Sequence, residues 1–246
     1  MSSESVMNVI VPAILPTSRK DLEEKLGRLV GLTNRVQIDI VDGYVASPAT
    51  WPYASGIEAF QKNVAQGELL PHAGEFQFEV DMMVTDPEKT CGTWVTAGAS
   101  SITLHASSTR YVDTAISKLR TVYGFDKGFS KDLLSVGIAI QIDTDSAILE
   151  RYLDQIDYVQ FMGIAHIGRQ GEPFDSRVIR KIQAFRKKHP DMKVHVDGGV
   201  SLQSAPELLA LGVSQSVVGS RLSHAIDLAS ELGKFTALQE QYGLYQ

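Results

Sequence analysis

Short apolar runs rich in β-branched residues alternate with longer stretches whose apolar positions recur every three or four residues, from one end of the chain to the other. The short runs predict eight strands: Asn8 to Leu15, Arg35 to Ile40, Phe76 to Val84, Ser100 to His105, Ser135 to Gln141, Tyr158 to Met162, Lys193 to Val196 and Ser214 to Val218. The longer period predicts helices over Ser18 to Val30, Asp86 to Ala97, Arg110 to Val122, Ser146 to Leu153, Asp175 to Lys188 and Ser201 to Leu211, with a last one from Arg221 onward. Thr17 or Ser18 can cap the first helix. Asp86-Pro87-Glu88 puts Asp at a cap and Pro in a first turn, where its missing N–H costs nothing. Gly31, Gly98 and Gly212 follow helical stretches, where a left-handed residue ends a helix. The stretch Asp42 to Gly56 carries neither period and is expected to be a long loop holding Tyr44, Trp51 and Tyr53.

Eight strands alternating with helical stretches in 246 residues suit an α/β TIM (β/α)8 barrel, although a doubly wound open sheet shows a similar alternation. No composition break or Pro/Ser-rich linker interrupts the chain, so residues 1–246 are read as a single domain. In a barrel the site lies on the loops that follow the strands, so the 42–56 loop reads as a lid or pocket wall. The alternative is a packed surface insertion.

Composition narrows the functions open to such a fold. With 43% hydrophobic and 21% charged residues the chain has material for a large core and little case for disorder. A formal charge of −6 argues against nucleic acid and anionic membrane partners. An anionic ligand must then be caught locally. Cys91 is the single cysteine, which excludes an internal disulfide and cysteine-ligated metal and fits a cytoplasmic location. The N-terminal Met-Ser-Ser-Glu-Ser-Val-Met has no basic start and no long apolar stretch, so neither a signal peptide nor a membrane span is expected.

Residues two apart on a strand share a face. On that rule Gln37 and Asp39 face one way, as do Glu79, Asp81 and Met83, Thr103 and His105, Gln160 and Met162, and His195 and Asp197. Burying so many polar groups inside a barrel requires that they be paired, bound to a cation or wet. A functional cleft is the economical explanation; the alternative is a set of buried hydrogen-bonded pairs, such as Glu79 with His105. Two glycine turns follow strands directly, Gly198-Gly199 and Gly219-Ser220. Their backbone N–H groups form the kind of phosphate cradle found after the seventh and eighth strands of barrels.

These residues resemble the ribulose-phosphate 3-epimerase family over nearly the whole chain. Val11-Pro12-Ala13-Ile14-Leu15 is similar to its first-strand Pro-Ser-Ile-Leu, and Gln37-Ile38-Asp39-Ile40-Val41-Asp42-Gly43 to its His-x-Asp-x-Met-Asp-Gly. Asp81-Met82-Met83-Val84 falls on His-Leu-Met-Val, and Ile102-Thr103-Leu104-His105 on Ile-Thr-x-His. Met162-Gly163 opens a sixth loop whose end, Gly168-Arg169-Gln170-Gly171-Glu172-Pro173-Phe174, resembles the family's glycine-rich phosphate loop. Val196-Asp197-Gly198-Gly199-Val200 matches the seventh-strand signature, and Val218-Gly219-Ser220 resembles the eighth. The resemblance favours the barrel over the open sheet. It implies an isomerase that inverts one carbon of a ketose phosphate through an enediolate. Asp39 and Asp197 would be the acid/base pair. Met83, Met162, Gly168, Gln170, Gly171, Gly198, Gly199, Gly219 and Ser220 would bind a phosphorylated sugar. Homo-oligomers are common among such proteins.

The departures alter the expected chemistry. The family's two metal histidines are Gln37 and Asp81 here, so the inherited ligand set is Gln37, Asp39, Asp81 and Asp197. All-oxygen ligands favour Mg²⁺ or Mn²⁺ over Zn²⁺. Without a cation, at least one of three clustered carboxylates should hold a proton at neutral pH. The first-strand Ser is Ala13 and one pocket Met is Val41, which leaves a different substrate or a loss of catalysis open. Asp81-Met82-Met83-Val84-Thr85-Asp86 also resembles the Asp-x-Lys-x-x-Asp of hexulose-phosphate synthases and orotidine-phosphate decarboxylases. Met83 replaces the proton-donating lysine, which argues against a decarboxylase. A magnesium-dependent aldolase and a non-catalytic phosphosugar-binding barrel stay open as alternatives. His166 and Arg169 can meet phosphate or stand as loop residues; His195 can touch the site or be structural. Cys91 has no histidine partner and reads as inert.

Overall fold

Eight parallel strands pair in chain order and the eighth closes on the first. The computed structural model describes residues 9–106, 111–123 and 133–242 and is a TIM (β/α)8 barrel. The strands are β1 Ile10–Ile14, β2 Arg35–Val41, β3 Gln77–Met83, β4 Ala99–His105, β5 Ser135–Ile140, β6 Tyr158–Met162, β7 Lys193–Asp197 and β8 Gln215–Val218. All eight fall on the expected runs. Asn8, Arg110 and the N-terminal segment read for a signal lie outside the described residues. No described helix is long and apolar enough to cross a membrane.

The strands alternate as a barrel requires. Ile38 and Ile40 of β2, Val80 and Met82 of β3, and Ile102 and Leu104 of β4 point outward into the core beneath the helices. Their neighbours Gln37, Asp39, Glu79, Asp81, Thr103 and His105 are also buried, on the inner face. Register carries the inner face around the ring: Asp39 lies beside Asp81, Asp81 beside Thr103, Gln160 beside His195, and Met162 beside Asp197.

The helices are α1 Arg19–Gly27, α2 Ile57–Ala65, α3 Cys91–Thr96, α4 Val112–Tyr123, α5 Arg177–Lys188, α6 Ala205–Ala210, α7 Ser220–Ser223 and α8 Leu228–Tyr242. Ser18 caps α1, its Oγ accepting from the Asp21 amide at 3.0 Å. Helix α2 is absent from the sequence expectation. It starts at a left-handed Gly56 that offers no side-chain cap, and buries only Phe60 and Val64. Helix α1 stops at Gly27, short of the expected Val30, and four other predicted helices are broken or much reduced. The Asp86 to Ala97 stretch is a 3₁₀ turn, Pro87–Lys89, followed by α3; the backbone leaves helical geometry at Thr90 (φ −127°), and Asp86 pairs with Lys89 at 2.5 Å instead of capping. Ser146 to Leu153 keeps only a 3₁₀ turn, Ser146–Leu149, capped by Asp145. Ser201 and Ser204 hydrogen-bond each other in a turn, so α6 begins at Ala205. The last segment splits into α7 and α8.

The long loop after β2 is mostly packing. Trp51 is buried against Phe60 and Trp94, at ring-centroid distances of 5.1 and 5.9 Å, and the Tyr53 hydroxyl meets Thr90 Oγ1 at 2.7 Å. Tyr44 alone of the three aromatics stands out in solvent. The part of the loop that reaches the mouth is Val45 and Ala46, packed on Val41, Met83, Met162, Ile164 and Ile167.

Candidate active site

The inner face stacks polar side chains in tiers. In the lower tier Arg35 donates to Glu79 Oε1 from Nε at 3.0 Å and from a terminal nitrogen at 2.6 Å, and also bonds Gln215 Oε1. Gln215 Nε2 donates to Glu79 Oε2 at 2.5 Å. Tyr158 places its hydroxyl 2.8 Å from Ser101 Oγ and 2.7 Å from Thr103 Oγ1 and stacks on the His195 ring at 4.0 Å. Glu79 is therefore paired with Arg35 and not with His105. His195 belongs to this tier, below the cleft, and burial, then Arg35 and Lys193, hold its pKa well below the usual imidazole value.

Above it lies a carboxylate centre. Oxygens of Asp39, Asp81 and Asp197 lie within 4.8 Å of one another, and all three residues are buried. Gln37 Nε2 donates to Asp39 Oδ1 and Asp197 Oδ2, each at 2.8 Å. Gln160 Nε2 donates to Asp81 Oδ2 at 3.0 Å, with Asp197 Oδ2 at 3.4 Å. Asp81 turns its other oxygen to His105 Nε2, 2.6 Å away. Burial, and then the charges of Asp197 and Asp81, raise the Asp39 carboxyl well above the usual carboxylate range. Burial and the Asp81 charge push Asp197 up to about 7, against the opposing Gln37 hydrogen bond. Like charges this close in a desolvated place cannot all ionise.

The centre fits a hard divalent ion. Its three carboxylates offer oxygens, and Gln37 and Gln160, which turn Nε2 to those carboxylates, keep Oε1 buried with no hydrogen-bond partner, so a half-turn of either amide would add an oxygen donor.

A cleft of about 510 Å³, counted to its open mouth, sits on the centre. Asp39 and Asp197 face it, together with Met83, Met162, Gly168, Gln170, Gly171, Gly198, Gly199, Gly219 and Ser220. Gln37 and Asp81 do not line the cleft; they support its floor. Gly199 has φ +68°, and a Cβ there would sit 2.6 Å from the Phe174 Cα, so only glycine lets the turn lie against the sixth loop. Arg169 lines the cleft, its Nε on the Ser47 carbonyl at 3.1 Å, whereas His166 is outside it and pairs with Glu172 at 3.2 Å. Ile164, Glu172 and Val200 also line the cleft and were not singled out from sequence. For Ile164 a signal is present: the two-residue period that faces Met162 inward reaches it. Cys91 is buried away from the site, and burial raises its thiol pKa.

Fold and cleft together define a (β/α)8 barrel with an acidic centre under a glycine-lined mouth at the strand C-termini. The family model described as "Ribulose-phosphate 3 epimerase family" matches residues 9–223, and the chain belongs to that family. Ribulose-phosphate 3-epimerase of Schizosaccharomyces pombe is 25% identical over 218 residues, covering 88% of this chain and 87% of that protein. That relative is by name an isomerase-class enzyme of a carbohydrate phosphate, the enzyme class expected from sequence. Among solved structures, 3-hexulose-6-phosphate synthase from Salmonella typhimurium superposes with TM-score 0.65 at 16% identity, covering 95% of this chain and 99% of that one. KGPDC from Streptococcus mutans gives TM-score 0.62 at 13% identity, covering 95% and 97%. These two likenesses speak for the fold.

Proposed function

We propose that the chain is a sugar-phosphate epimerase or isomerase in which Asp39 and Asp197 exchange protons with a ketose phosphate through an enediolate. The observation that carries this reading is the pair itself: two buried carboxylates from β2 and β7 face one cleft and share the Gln37 amide. Inversion at carbon needs a base for one face and an acid for the other. Repulsion keeps one of the two protonated while the other ionises, and in the centre without a cation Asp197, near 7, changes state around neutral pH. The ionised member takes the proton from carbon and the protonated member returns one, the roles exchanging with the direction of reaction. Gln37, donating to both, holds the two carboxylates in fixed relation. The N–H groups of the Gly198-Gly199 and Gly219-Ser220 turns, with Gly168, Gln170 and Gly171, anchor the phosphate without a basic surface. Met83 and Met162 wall the sugar. When bound, a divalent ion held by Gln37, Asp39, Asp81 and Asp197, Mg²⁺ or Mn²⁺ in preference to Zn²⁺, supplies positive charge against the negative charge that develops on the sugar oxygens. A cytoplasmic homo-oligomer with no nucleic-acid or membrane partner completes the reading.

Solvent-deuterium exchange into pentulose and hexulose phosphates, with Mg²⁺ or Mn²⁺ present, tests it. Exchange that disappears in Asp39→Asn and Asp197→Asn supports the proposal. No exchange into any of these substrates overturns it. Release of a short aldehyde would indicate an aldolase. Phosphate-ester binding that survives both substitutions without turnover would indicate a binding protein.

A further inference from the structure

Gln160 is the second amide of the centre. It lies on β6 with no solvent exposure, beside Ala139 on one side and His195 on the other. Its amide nitrogen spans Asp81 and Asp197 at 3.0 and 3.4 Å, yet its Oε1 is buried and meets no donor. Gln37 repeats the arrangement from the opposite side: Nε2 on two carboxylates, Oε1 buried and unpartnered. Both nitrogens converge on one atom, Asp197 Oδ2.

Buried polar side-chain atoms nearly always find a partner, so two orphaned amide oxygens at one cluster need a cause. The two ends of an amide are alike in size and opposite in sense, one donating and one accepting, and a half-turn of the last torsion exchanges them. Carboxylates alone select the N–H₂ end. A cation among them selects the oxygen. The resemblance places one amide, Gln37, in the ligand set, and leaves β6 without a part in it.

We propose that Gln160 is a further ligand of the cation centre: it presents Oε1 to a divalent ion and returns Nε2 to Asp81 and Asp197 when the ion leaves. The inference rests on the cation in the functional reading and adds a fourth strand to those that hold it. It also gives the pair of amides one job in both states, cross-linking the carboxylates through N–H₂ in one and completing an all-oxygen shell in the other.

Mn²⁺ binding, followed by calorimetry and by the electron paramagnetic resonance signal of free Mn²⁺, is compared for the parent chain, Gln160→Leu and Gln160→Glu. The expected result is a loss of affinity of at least about tenfold in Gln160→Leu and affinity kept or raised in Gln160→Glu, which retains oxygen but no N–H₂. In the parent, Mg²⁺ should also shift the assigned side-chain ¹⁵N resonance of Gln160, a readout that stands even if a variant fails to fold. Gln160→Leu binding Mn²⁺ within about twofold of the parent, or a Gln160 resonance that ignores Mg²⁺ while the ion binds, overturns the proposal and leaves the epimerase reading intact. A parent chain that takes up no Mn²⁺ overturns this proposal and the cation in the functional reading together. Proton exchange by that same metal-free protein would leave the two-aspartate chemistry standing.

Discussion

His105 Nε2 lies 2.6 Å from Asp81 Oδ1, and neither side chain has appreciable contact with solvent. A buried pair of this kind contributes little relative to a well-packed apolar pair, but removing one partner strands the other. His105→Leu should therefore destabilise the protein by about 3–5 kcal/mol, measured by urea denaturation without metal. Asp81→Leu combined with His105→Leu should recover much of that loss. A single variant as stable as the parent would show that the pair holds nothing in place.

The contribution of Asp39 and Asp197 to the stability of the metal-free protein should fall as pH rises from 5 to 8, whereas His195, held neutral by burial, contributes in the opposite sense below its ordinary value of 6.5. Asp197 has its native pKa near 7, against an ordinary value of 3.8, and Asp39 is raised in the same sense. Between those values the native state binds more protons than the unfolded chain, so the contribution is complete below about 3.8 and is lost as pH passes through about 7. The change should amount to a few kcal/mol and be reduced in Asp197→Asn. Melting scans in the presence of a chelator give the comparison. An identical pH profile in parent and variant would contradict it.

How far the sequence revealed the site depended on the range of the contact. The inward facing of Asp39 and Asp197 follows from a two-residue period and needs only local backbone geometry. The union of Asp81 with His105 does not: in register Asp81 lies beside Thr103, and His105 reaches back diagonally from two positions further along β4, which depends on how the sheet coils into a barrel. Glu79 was open to the same error, because its partner Arg35 is a strand-opening residue that looks solvent-facing in a linear pattern. Helix α2 escaped notice because Gly56 provides no capping side chain and Pro48 and Pro52 precede it with loop chemistry. Trp51 misled in a different way. An aromatic in an aperiodic loop suggests a pocket wall, but the rings that cover it are Phe60 of α2, a helix the pattern does not reveal, and Trp94 of α3, far along the chain.

Gly137 of β5 leaves the space that Tyr158 fills. A Cβ on Gly137 would lie 2.1 Å from the Tyr158 Cε2, and that ring is held on its other sides by Ser101, Thr103 and the stacked His195. The clash is with a rigid ring inside a closed barrel, so it cannot be relieved by a side-chain rotation alone. Gly137→Ala should cost about 1–3 kcal/mol of stability, read from chemical denaturation. A neutral effect would mean that the lower tier is more plastic than its hydrogen bonds imply.

Gly199→Ala should act on substrate binding more than on the fold. The added Cβ would meet Phe174 backbone atoms at 2.6 and 2.7 Å, and the site demands φ +68°, so the seventh turn and the sixth loop must separate. Both contribute N–H groups to the proposed phosphate cradle, whereas Asp39 lies on β2 and Asp197 is held within β7, ahead of the turn. The KM for a phosphorylated ketose should rise by at least about tenfold, with a smaller change in kcat, because the phosphate anchor is lost in ground and transition states alike. Inorganic phosphate should protect the parent against thermal unfolding and protect the variant much less. If KM and phosphate protection are both unchanged, the anion is held elsewhere, and Arg169 at the rim becomes the residue to substitute next.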